Sequence, residues 1–424
     1  MKISFPYGKG TLTHDFSGER LLGTLTSSIH GYTAKAAPEA LVREAMKSPI
    51  GSPSLAELAK GKKNIVLIAS DHTRPVPSKV IVPPMLEEIR STSPDADITI
   101  LIATGCHRYT TREELVSKFG EEIVDNEKIV VHVSTDEDSV VNIGTLPSGG
   151  ALRINKIAAD ADLLIAEGFI EPHFFAGFSG GRKSVLPGIS SRETVMANHC
   201  SEFIASPCAR TGVLEGNPIH ADMLYAAKAA KLAYIVNVVL DENKEAIYAV
   251  AGDPEAAHAD GCDFLSGLCR VKPIMADIAI STNGGYPLDQ NVYQSFKGMT
   301  AAEATVKEGG VIIMLSSCTD GHGGEDLYEE LASEPDNERA AAKILSRGRN
   351  ETVPDQWQAQ ILLRILGRAK VIFVSEAPDE MIRNMHLIPA HSIGEALSMA
   401  KEMLGISDPT ITAIPDGISV MVVE

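Results

Sequence analysis

The segment Asn64-Ile-Val-Leu-Ile-Ala-Ser70 decides the fold class, because its five consecutive apolar residues are typical of a strand buried in a parallel sheet. A short polar loop follows, and residues 78–90 then have the apolar spacing of a helix. Residues 97–103 repeat the strand pattern, and residues 111–119 repeat the helix pattern behind a Thr-x-x-Glu capping sequence. This alternation predicts an α/β fold with largely parallel sheets.

Further strand-like runs continue the pattern along the chain, at residues 162–167, 231–240, 246–251, 276–281, 310–315 and 370–374. A chain of 424 residues exceeds the size at which one hydrophobic core keeps growing, which favours two domains. Because the pattern pauses just before residue 276, we predict two Rossmann-like α/β domains, residues 1–271 and 272–424, with an active-site cleft between them. Residues 411–423 are strand-like and could pair with either domain.

The overall charge favours a small ligand over a nucleic acid. The chain has 38 Lys and Arg residues against 56 Asp and Glu residues, a formal charge of -18, which repels phosphate backbones and acidic membrane surfaces. Its six cysteines form no Cys-x-x-Cys pair, as expected in a reducing compartment. The first residues carry a charge and a proline where a signal peptide needs an unbroken apolar run, and no run is long enough to span a membrane. We therefore expect a cytoplasmic protein.

Polar, glycine-bearing segments follow the predicted strands. Ligands bind at the carboxyl ends of the strands in open α/β sheets. Five such segments occur at these positions: residues 70–75, 104–108, 168–188, 282–297 and 320–325. We expect the predicted cleft between the domains to gather them.

The segment from Glu171 to Ile189 is a glycine-rich turn that carries a histidine and a lysine, and Asn198-His199 follows it. It resembles a phosphate-binding P-loop, but Arg182 separates the last glycine from Lys183, so the pattern fails. The dinucleotide fingerprint also fails, because residues 321–326 lack its third glycine. A catalytic turn, a phosphate-binding turn and a plain chain reversal all remain open from the residues alone.

Several side chains in these segments are suited to acid-base chemistry or anion binding. His107 and His173 each lie where a strand gives way to a loop, among glycines and basic residues, and histidine exchanges protons near neutral pH. Arg74 could hold a carboxylate in its planar fork, or could form a salt bridge with Asp71. We expect His72, His220 and His258 to be surface or core residues.

Two further positions stand out. Gln294 and Lys297 would share one face if their segment is helical. His199, beside Cys200, could bind a metal, but a structural metal site needs four ligands at set spacing, which this chain does not show. A site with one protein histidine therefore indicates that a bound organic cofactor supplies the other ligands.

The motifs together resemble those of the nickel-dependent lactate racemase family. The resemblance rests on residues 71–78, 103–108, 171–188, 197–199 and 281–291, and it continues through Gln294, residues 297–303 and residues 354–357. It therefore extends through nearly the whole chain, with several long motifs in the same order. It implies two α/β domains around a cleft that holds a nickel-pincer nucleotide, a modified pyridinium mononucleotide derived from nicotinic acid adenine dinucleotide.

The resemblance also implies the cofactor ligands. Lys183 matches the lysine that is joined to the cofactor through a thioamide, and His199 matches the histidine that completes the Ni²⁺ site formed by two cofactor sulfurs and one ring carbon. The resemblance also groups Asp71 with the cofactor-binding residues, and its carboxylate would orient a histidine or Arg74. Cofactor-biosynthesis and nickel-insertion proteins are implied as partners.

The implied activity is an isomerase reaction, the interconversion of D- and L-lactate through bound pyruvate by reversible hydride transfer to the cofactor. His107 and His173 match the pair of opposed acid/bases, each of which must be neutral to receive a proton. The substrate-contacting positions match Arg74, Tyr293, Gln294, Lys297 and Trp357. Racemisation or epimerisation of another 2-hydroxy acid is the alternative reaction, and a phosphate- or nucleotide-binding module is the alternative without catalysis.

Overall fold

The computed structural model describes residues 1–423. Its strands are β1 (Lys2–Tyr7), β2 (Gly10–Asp15), β3 (Arg20–Thr24), β4 (Asn64–Ser70), β5 (Asp97–Ala103), β6 (Lys128–Val131), β7 (Val140–Thr145), β8 (Ala151–Asn155), β9 (Leu163–Phe169), β10 (Pro172–His173), β11 (Gly177–Phe178), β12 (Leu232–Leu240), β13 (Ala246–Gly252), β14 (Arg270–Val271), β15 (Ala276–Thr282), β16 (Val306–Leu315), β17 (Lys370–Val374), β18 (Ile388–Ala390), β19 (Thr410–Ile414) and β20 (Met421–Val422).

The α-helices are α1 (Pro38–Lys47), α2 (Leu55–Ala59), α3 (Ser78–Thr92), α4 (Arg112–Phe119), α5 (Glu121–Asn126), α6 (Lys156–Ala159), α7 (Arg192–Asn198), α8 (Ser201–Ala205), α9 (Pro218–Ala229), α10 (Ala256–Cys269), α11 (Val292–Glu303), α12 (Glu325–Ala332), α13 (Asn337–Leu345), α14 (Gln356–Arg368), α15 (Asp379–Asn384) and α16 (Ile393–Leu404). Short 3-10 helices cover Phe16–Gly18, Ile29–Gly31, Glu137–Ser139, Gly181–Ser184 and Arg349–Glu351.

The chain forms two compact units, each built on one six-stranded sheet. The first-sheet unit contains residues 29–199 and 206–267, and the second-sheet unit contains residues 1–28, 200–205 and 268–423. A single boundary near residue 272 does not describe these units in full, because β3, near the start of the chain, pairs with β19 in the second sheet.

The first sheet has the strand order β13-β12-β9-β4-β5-β6. Its strands are parallel except β13, which runs antiparallel to β12 at one edge. Every residue of β9 is buried, as expected for a central strand covered on both faces. Because β9, β4 and β5 are parallel neighbours, the segments that follow them leave the sheet at one edge.

The second sheet has the strand order β18-β17-β16-β15-β19-β3, and all of its strands are parallel. The strand-like segment near the C-terminus divides in two, since β19 lies inside this sheet while β20 pairs with β14. The predicted α/β fold class with largely parallel sheets is confirmed. The structure also confirms the predicted capping box at the start of α4, where Thr111 and Glu114 satisfy each other's backbone amides.

No helix within residues 1–423 has the length and apolar character needed to cross a membrane.

Candidate active site

A pocket opens at the carboxyl edge of the first sheet. The loops after β4 and β5 and the glycine turn after β9 line it, and they contribute Asp71, Arg74, His107 and Lys183. The space between its walls is about 720 Å³, part of which is open solvent. The sheet topology thus brings four of the sequence-predicted residues to one place.

His107 forms a pair with the buried carboxylate of Asp71. Their Nδ1 and Oδ2 atoms are 2.7 Å apart, and the His107 side chain keeps 41% of its surface exposed while Asp71 keeps 1%. Because a carboxylate can only accept, Nδ1 carries the proton in this pair and Nε2 of the neutral ring has a lone pair. His107 is therefore oriented to accept a proton at Nε2.

Asp71 is held by its neighbours as well as by His107. Its Oδ1 accepts hydrogen bonds from the Thr73 backbone amide at 3.1 Å and from the Thr73 hydroxyl at 2.7 Å. Burial acts to raise the pKa of Asp71, but the hydrogen bond and charge of His107, the Thr73 hydroxyl and the charge of Arg74 outweigh it, so this pKa is lowered. Asp71 thus remains a carboxylate.

Arg74 lies on the same loop and its Nη1 donates to the Thr73 hydroxyl at 3.1 Å. Lys118 on α4 fixes the backbone of this loop, because its Nζ donates to the carbonyls of Arg74 at 3.1 Å and Val76 at 3.4 Å. Sequence reasoning gave Lys118 no role, since its contribution depends on where α4 packs. The Arg74 guanidinium therefore projects from a fixed backbone at the pocket wall.

The ring of Phe175 connects three residues that were predicted to act together. Its centroid lies 4.5 Å from the ring of His173 and 5.2 Å from the ring of His199, both edge to face, and 5.9 Å from Nζ of Lys183. Phe174 stacks on His173 at 5.1 Å and meets Phe175 edge to face at 4.8 Å. Sequence reasoning missed Phe175, although its place between His173 and Lys183 in the glycine turn was a signal.

His199 ends helix α7 and is buried. Burial, together with the nearby positive charge of Lys183, lowers the pKa of His199 to about 3. The imidazole is therefore neutral across the physiological range, which is the form that binds a metal ion.

His173 has the opposite hydrogen-bond arrangement to His107. The backbone amide of Ala176 donates to its Nδ1 at 3.2 Å, so in the neutral ring the proton lies on Nε2. The contact arises because β10 and β11 form a tight hairpin, with His173 opposite Gly177. The two predicted acid/bases are therefore not equivalent in this structure.

Arg182 explains why the glycine turn departs from the P-loop pattern. The side chain is 1% exposed and points inward, where it donates to the carbonyls of Ala176 at 2.8 Å and Gly180 at 3.2 Å. It also lies 3.0 Å from Nδ1 of His220 and 3.0 Å from Nε2 of His258. Burial lowers the pKa of Arg182 to about 10, and burial with the charge of Arg182 lowers the pKa of His220 to about 4. Arg182 therefore fastens the turn that carries Lys183.

Glu167 is a pocket residue that sequence reasoning missed, because it was assigned only as the end of a strand. It is 2% exposed and lines the pocket with Lys183. Its Oε1 accepts hydrogen bonds from the backbone amide of Ser70 at 2.8 Å and from the Ser70 hydroxyl at 2.9 Å. An acidic residue near the end of an otherwise apolar strand was the signal available in the sequence.

The other four sequence-predicted residues belong to the second-sheet unit. Gln294 and Lys297 lie three residues apart on α11 and are both partly exposed, which confirms the helix that their shared face required. Tyr293 precedes them, and its hydroxyl donates to Asp355 at 3.0 Å. Trp357 lies in the first turn of α14, two residues after Asp355.

Within residues 1–423, no three or more His, Cys, Asp and Glu side chains form a group that could hold a metal ion. His199 is therefore not part of any such group in that range.

Comparison with known proteins identifies the family. The family described as "Lactate racemase N-terminal domain" matches residues 7–212, and the one described as "Lactate racemase C-terminal domain" matches residues 271–422. A lactate racemase from Thermoanaerobacterium thermosaccharolyticum is 55% identical over 423 residues, covering 100% of this chain and 99% of the relative. Another from Lactiplantibacillus plantarum is 57% identical over 421 residues, covering 99% of each.

Solved structures agree. The lactate racemase apoprotein from Thermoanaerobacterium thermosaccharolyticum superposes with a TM-score of 0.96 at 55% identity and full coverage of both chains. A protein from Thermotoga maritima, 19% identical, has a TM-score of 0.63 over 91% of this chain and 99% of its own, and so shows the fold alone. The chain described above therefore belongs to the lactate racemase family and is an enzyme of the isomerase class.

Proposed function

We propose that this protein interconverts D- and L-lactate with a nickel-pincer nucleotide held by Lys183 and His199. The observation that carries the proposal is the pairing of His107 with Asp71 in the same pocket as Lys183. The two relatives at 55% and 57% identity that are named lactate racemase support lactate as the substrate. We also propose a cytoplasmic location, with cofactor-assembly and nickel-insertion proteins as partners.

The residues of the glycine turn fit this cofactor. His199 is buried and neutral, as a nickel ligand must be, and Lys183 is close enough to lower its pKa. The lack of any cluster of three or more protein ligands within residues 1–423 suits a metal whose other donors come from an organic ligand. When bound, the cofactor supplies an acceptor for the α-hydrogen of the substrate as hydride.

The protein's own part in the reaction is to hold the substrate and move the hydroxyl proton. Arg74 binds the carboxylate of the 2-hydroxy acid through its fork. His107 accepts the hydroxyl proton at Nε2, and the charge of Asp71 stabilises the imidazolium that forms. Tyr293, Gln294, Lys297 and Trp357 remain proposed as substrate contacts.

His173 is proposed as the base for the other enantiomer, and its present hydrogen bond adds a requirement. To accept a proton at Nε2, its own proton must occupy Nδ1, which the amide of Ala176 now contacts. The His173 ring must therefore release that amide during turnover. Each histidine can accept the hydroxyl proton only while its ring is neutral.

The test is to produce the protein together with the cofactor-assembly proteins, then measure its intact mass, its nickel content and its racemisation of lactate by chiral analysis. Lys183→Ala should lose the covalent adduct, whereas Lys128→Ala, at an exposed lysine on β6, should keep it. A nickel-free, unmodified chain that still racemised lactate would falsify the cofactor assignment. Parallel assays with other 2-hydroxy acids decide the preferred substrate.

His107→Ala and His173→Ala should each reduce turnover by roughly 10²-fold or more while nickel stays bound, because general acid-base catalysis contributes about that much. Steady-state assays from each single enantiomer measure this loss. Normal activity in either variant would remove that histidine from the pair.

A further inference from the structure

Glu167 carries one carboxylate oxygen that the protein does not satisfy. Its Oε1 is engaged by Ser70, but Oε2 is buried and has no hydrogen-bond partner within residues 1–423. A buried charged oxygen without a donor costs free energy, and folded proteins rarely leave one so unless a bound molecule supplies the donor. The position of Glu167 therefore indicates a ligand contact.

The surroundings of Glu167 place this contact in the pocket of Lys183. Glu167 lies near the carboxyl end of the central strand β9, and Gly168, Ser179 and Gly180 line the pocket beside it. Burial lowers the pKa of the nearby Lys118, while the charges of Glu167 and Asp71 act to raise it, and its Nζ donates to backbone carbonyls. Lys118 therefore gives Oε2 of Glu167 no hydrogen bond.

A hydroxyl group of a bound ligand suits this oxygen better than a divalent metal ion does. A divalent cation would need several oxygen ligands, and within residues 1–423 no group of three or more acidic, histidine or cysteine side chains could provide them. In contrast, a single carboxylate at the carboxyl edge of a parallel sheet is the arrangement that binds a ribose hydroxyl of a nucleotide. Ser70 holds Oε1, so Oε2 is the oxygen left for that contact.

We propose that Oε2 of Glu167 accepts a hydrogen bond from a ribose hydroxyl of the pyridinium mononucleotide that reacts with Lys183. This inference rests on the proposed function, because it takes the ligand class from the cofactor assigned there. Glu167 then selects a ribonucleotide and holds it in the pocket before Lys183 becomes attached to it. Hydrogen bonds to a charged partner contribute roughly ten- to a hundredfold in affinity.

The experiment uses the full chain made without the cofactor-assembly proteins. Isothermal titration calorimetry measures its affinity for nicotinic acid mononucleotide and for the 2′,3′-dideoxy form of that nucleotide. The wild-type protein should bind the ribonucleotide at least about tenfold more tightly. Glu167→Gln should lose this discrimination, because Ser70 keeps the amide oxygen at the position of Oε1 and the NH2 group that replaces Oε2 cannot accept a hydrogen bond. Glu193→Gln, at an exposed glutamate of the same unit that pairs with Arg153, should retain it.

Equal affinity of the wild-type protein for both nucleotides, or full discrimination by Glu167→Gln, would overturn the ribose contact. So would the absence of binding of either nucleotide to the wild-type protein. The melting temperature of Glu167→Gln reports whether this variant folds, and the two nucleotides compared on the wild-type protein test the contact even if it does not.

The intact mass of wild-type protein made with the cofactor-assembly proteins separates this inference from the proposed function. If Lys183 carries the adduct but the protein does not discriminate between the two nucleotides, the proposed function stands and the ribose contact is rejected.

Discussion

Asp71 and His107 illustrate how one buried carboxylate sets the chemistry of an exposed ring. The carboxylate is 1% exposed and the imidazole 41% exposed, so the pair has a protected end that fixes orientation and an open end that can exchange protons. The lowered pKa of Asp71 keeps the anion in place at neutral pH. The tautomer of His107 follows from this contact, because a carboxylate oxygen can only accept a hydrogen bond and the ring nitrogen facing it must therefore carry the proton.

Replacement of Asp71 by Asn should reduce the rate of proton transfer, because an amide no longer fixes the Nδ1–H tautomer of His107. We expect kcat to fall by about 10²-fold or more, with the covalent adduct at Lys183 retained. Asp162→Asn is the matched control, since this exposed aspartate accepts from the backbone amides of Lys63 and Asn64 and does not line the pocket. Full activity of Asp71→Asn, or an equal loss in Asp162→Asn, would contradict the orienting role of Asp71. Single-enantiomer assays and intact mass provide both readouts.

At the scale of elements, the glycine turn between β9 and α7 is a tightly packed segment. The backbone at Gly180 has φ +78°, and a side chain there would come within 2.7 Å of Asn237 Oδ1, the atom that accepts the amide of Gly181. Arg182 fastens the same turn from inside through the carbonyls of Ala176 and Gly180. The turn therefore presents Lys183 and His173 on a backbone held from both sides.

Gly177 gives a test of this packing. Gly177→Ala puts a Cβ atom 2.4 Å from the carbonyl oxygen of Val213 at a residue with φ +78°, whereas Gly61→Ala meets nothing within 4 Å at φ +76°. The backbone strain is thus matched and only the steric clash differs. We expect Gly177→Ala to lower the free energy of unfolding by about 1–3 kcal/mol more than Gly61→Ala does. Urea unfolding of the two variants measures the difference, and equal losses would contradict it.

The stability of the whole protein should fall in acid, because the first-sheet unit contains several buried histidines. Burial is the main cause of the lowered pKa values of His132, His220 and His258, and the value for His220 is about 4 against an ordinary 6.5. These histidines stay neutral in the folded chain at pH values where the unfolded chain protonates them. The unfolded state then binds more protons, so stability falls as the pH is lowered from 6.5 towards 4.

We expect the free energy of unfolding to decrease steadily over that interval, as measured by urea unfolding at a series of pH values. His132→Gln should make the decrease shallower, because it removes one of the groups that titrates only in the unfolded chain. His391→Gln, at a histidine whose side chain is 63% exposed, should leave the slope unchanged. A slope that His132→Gln does not alter would assign the acid sensitivity to other groups.

Most strands of both sheets could be predicted from the sequence, since a buried parallel strand must be a run of apolar residues and β4 has the predicted bounds of residues 64–70. The edge strands β3, β6 and β18 were missed, because they are short or only partly buried. The candidate site could be predicted only in part. His107, Lys183 and Arg74 stand in conspicuous loops, but the partners of Arg182 lie 38 and 76 residues away, at His220 and His258. No local pattern indicates such contacts.

By itself, the sequence determined the α/β class, the polar segments after the strands and, through its motifs, the family. Local spacing is sufficient for these, because the periods of strands and helices and the order of motifs are properties of neighbouring residues. Only the tertiary structure decided that Asp71 orients His107, that Phe175 contacts both His173 and His199, and that one oxygen of Glu167 is left without a donor. Hydrogen-bond geometry and burial depend on residues that meet only when the sheet assembles, so they are absent from any single stretch of the chain.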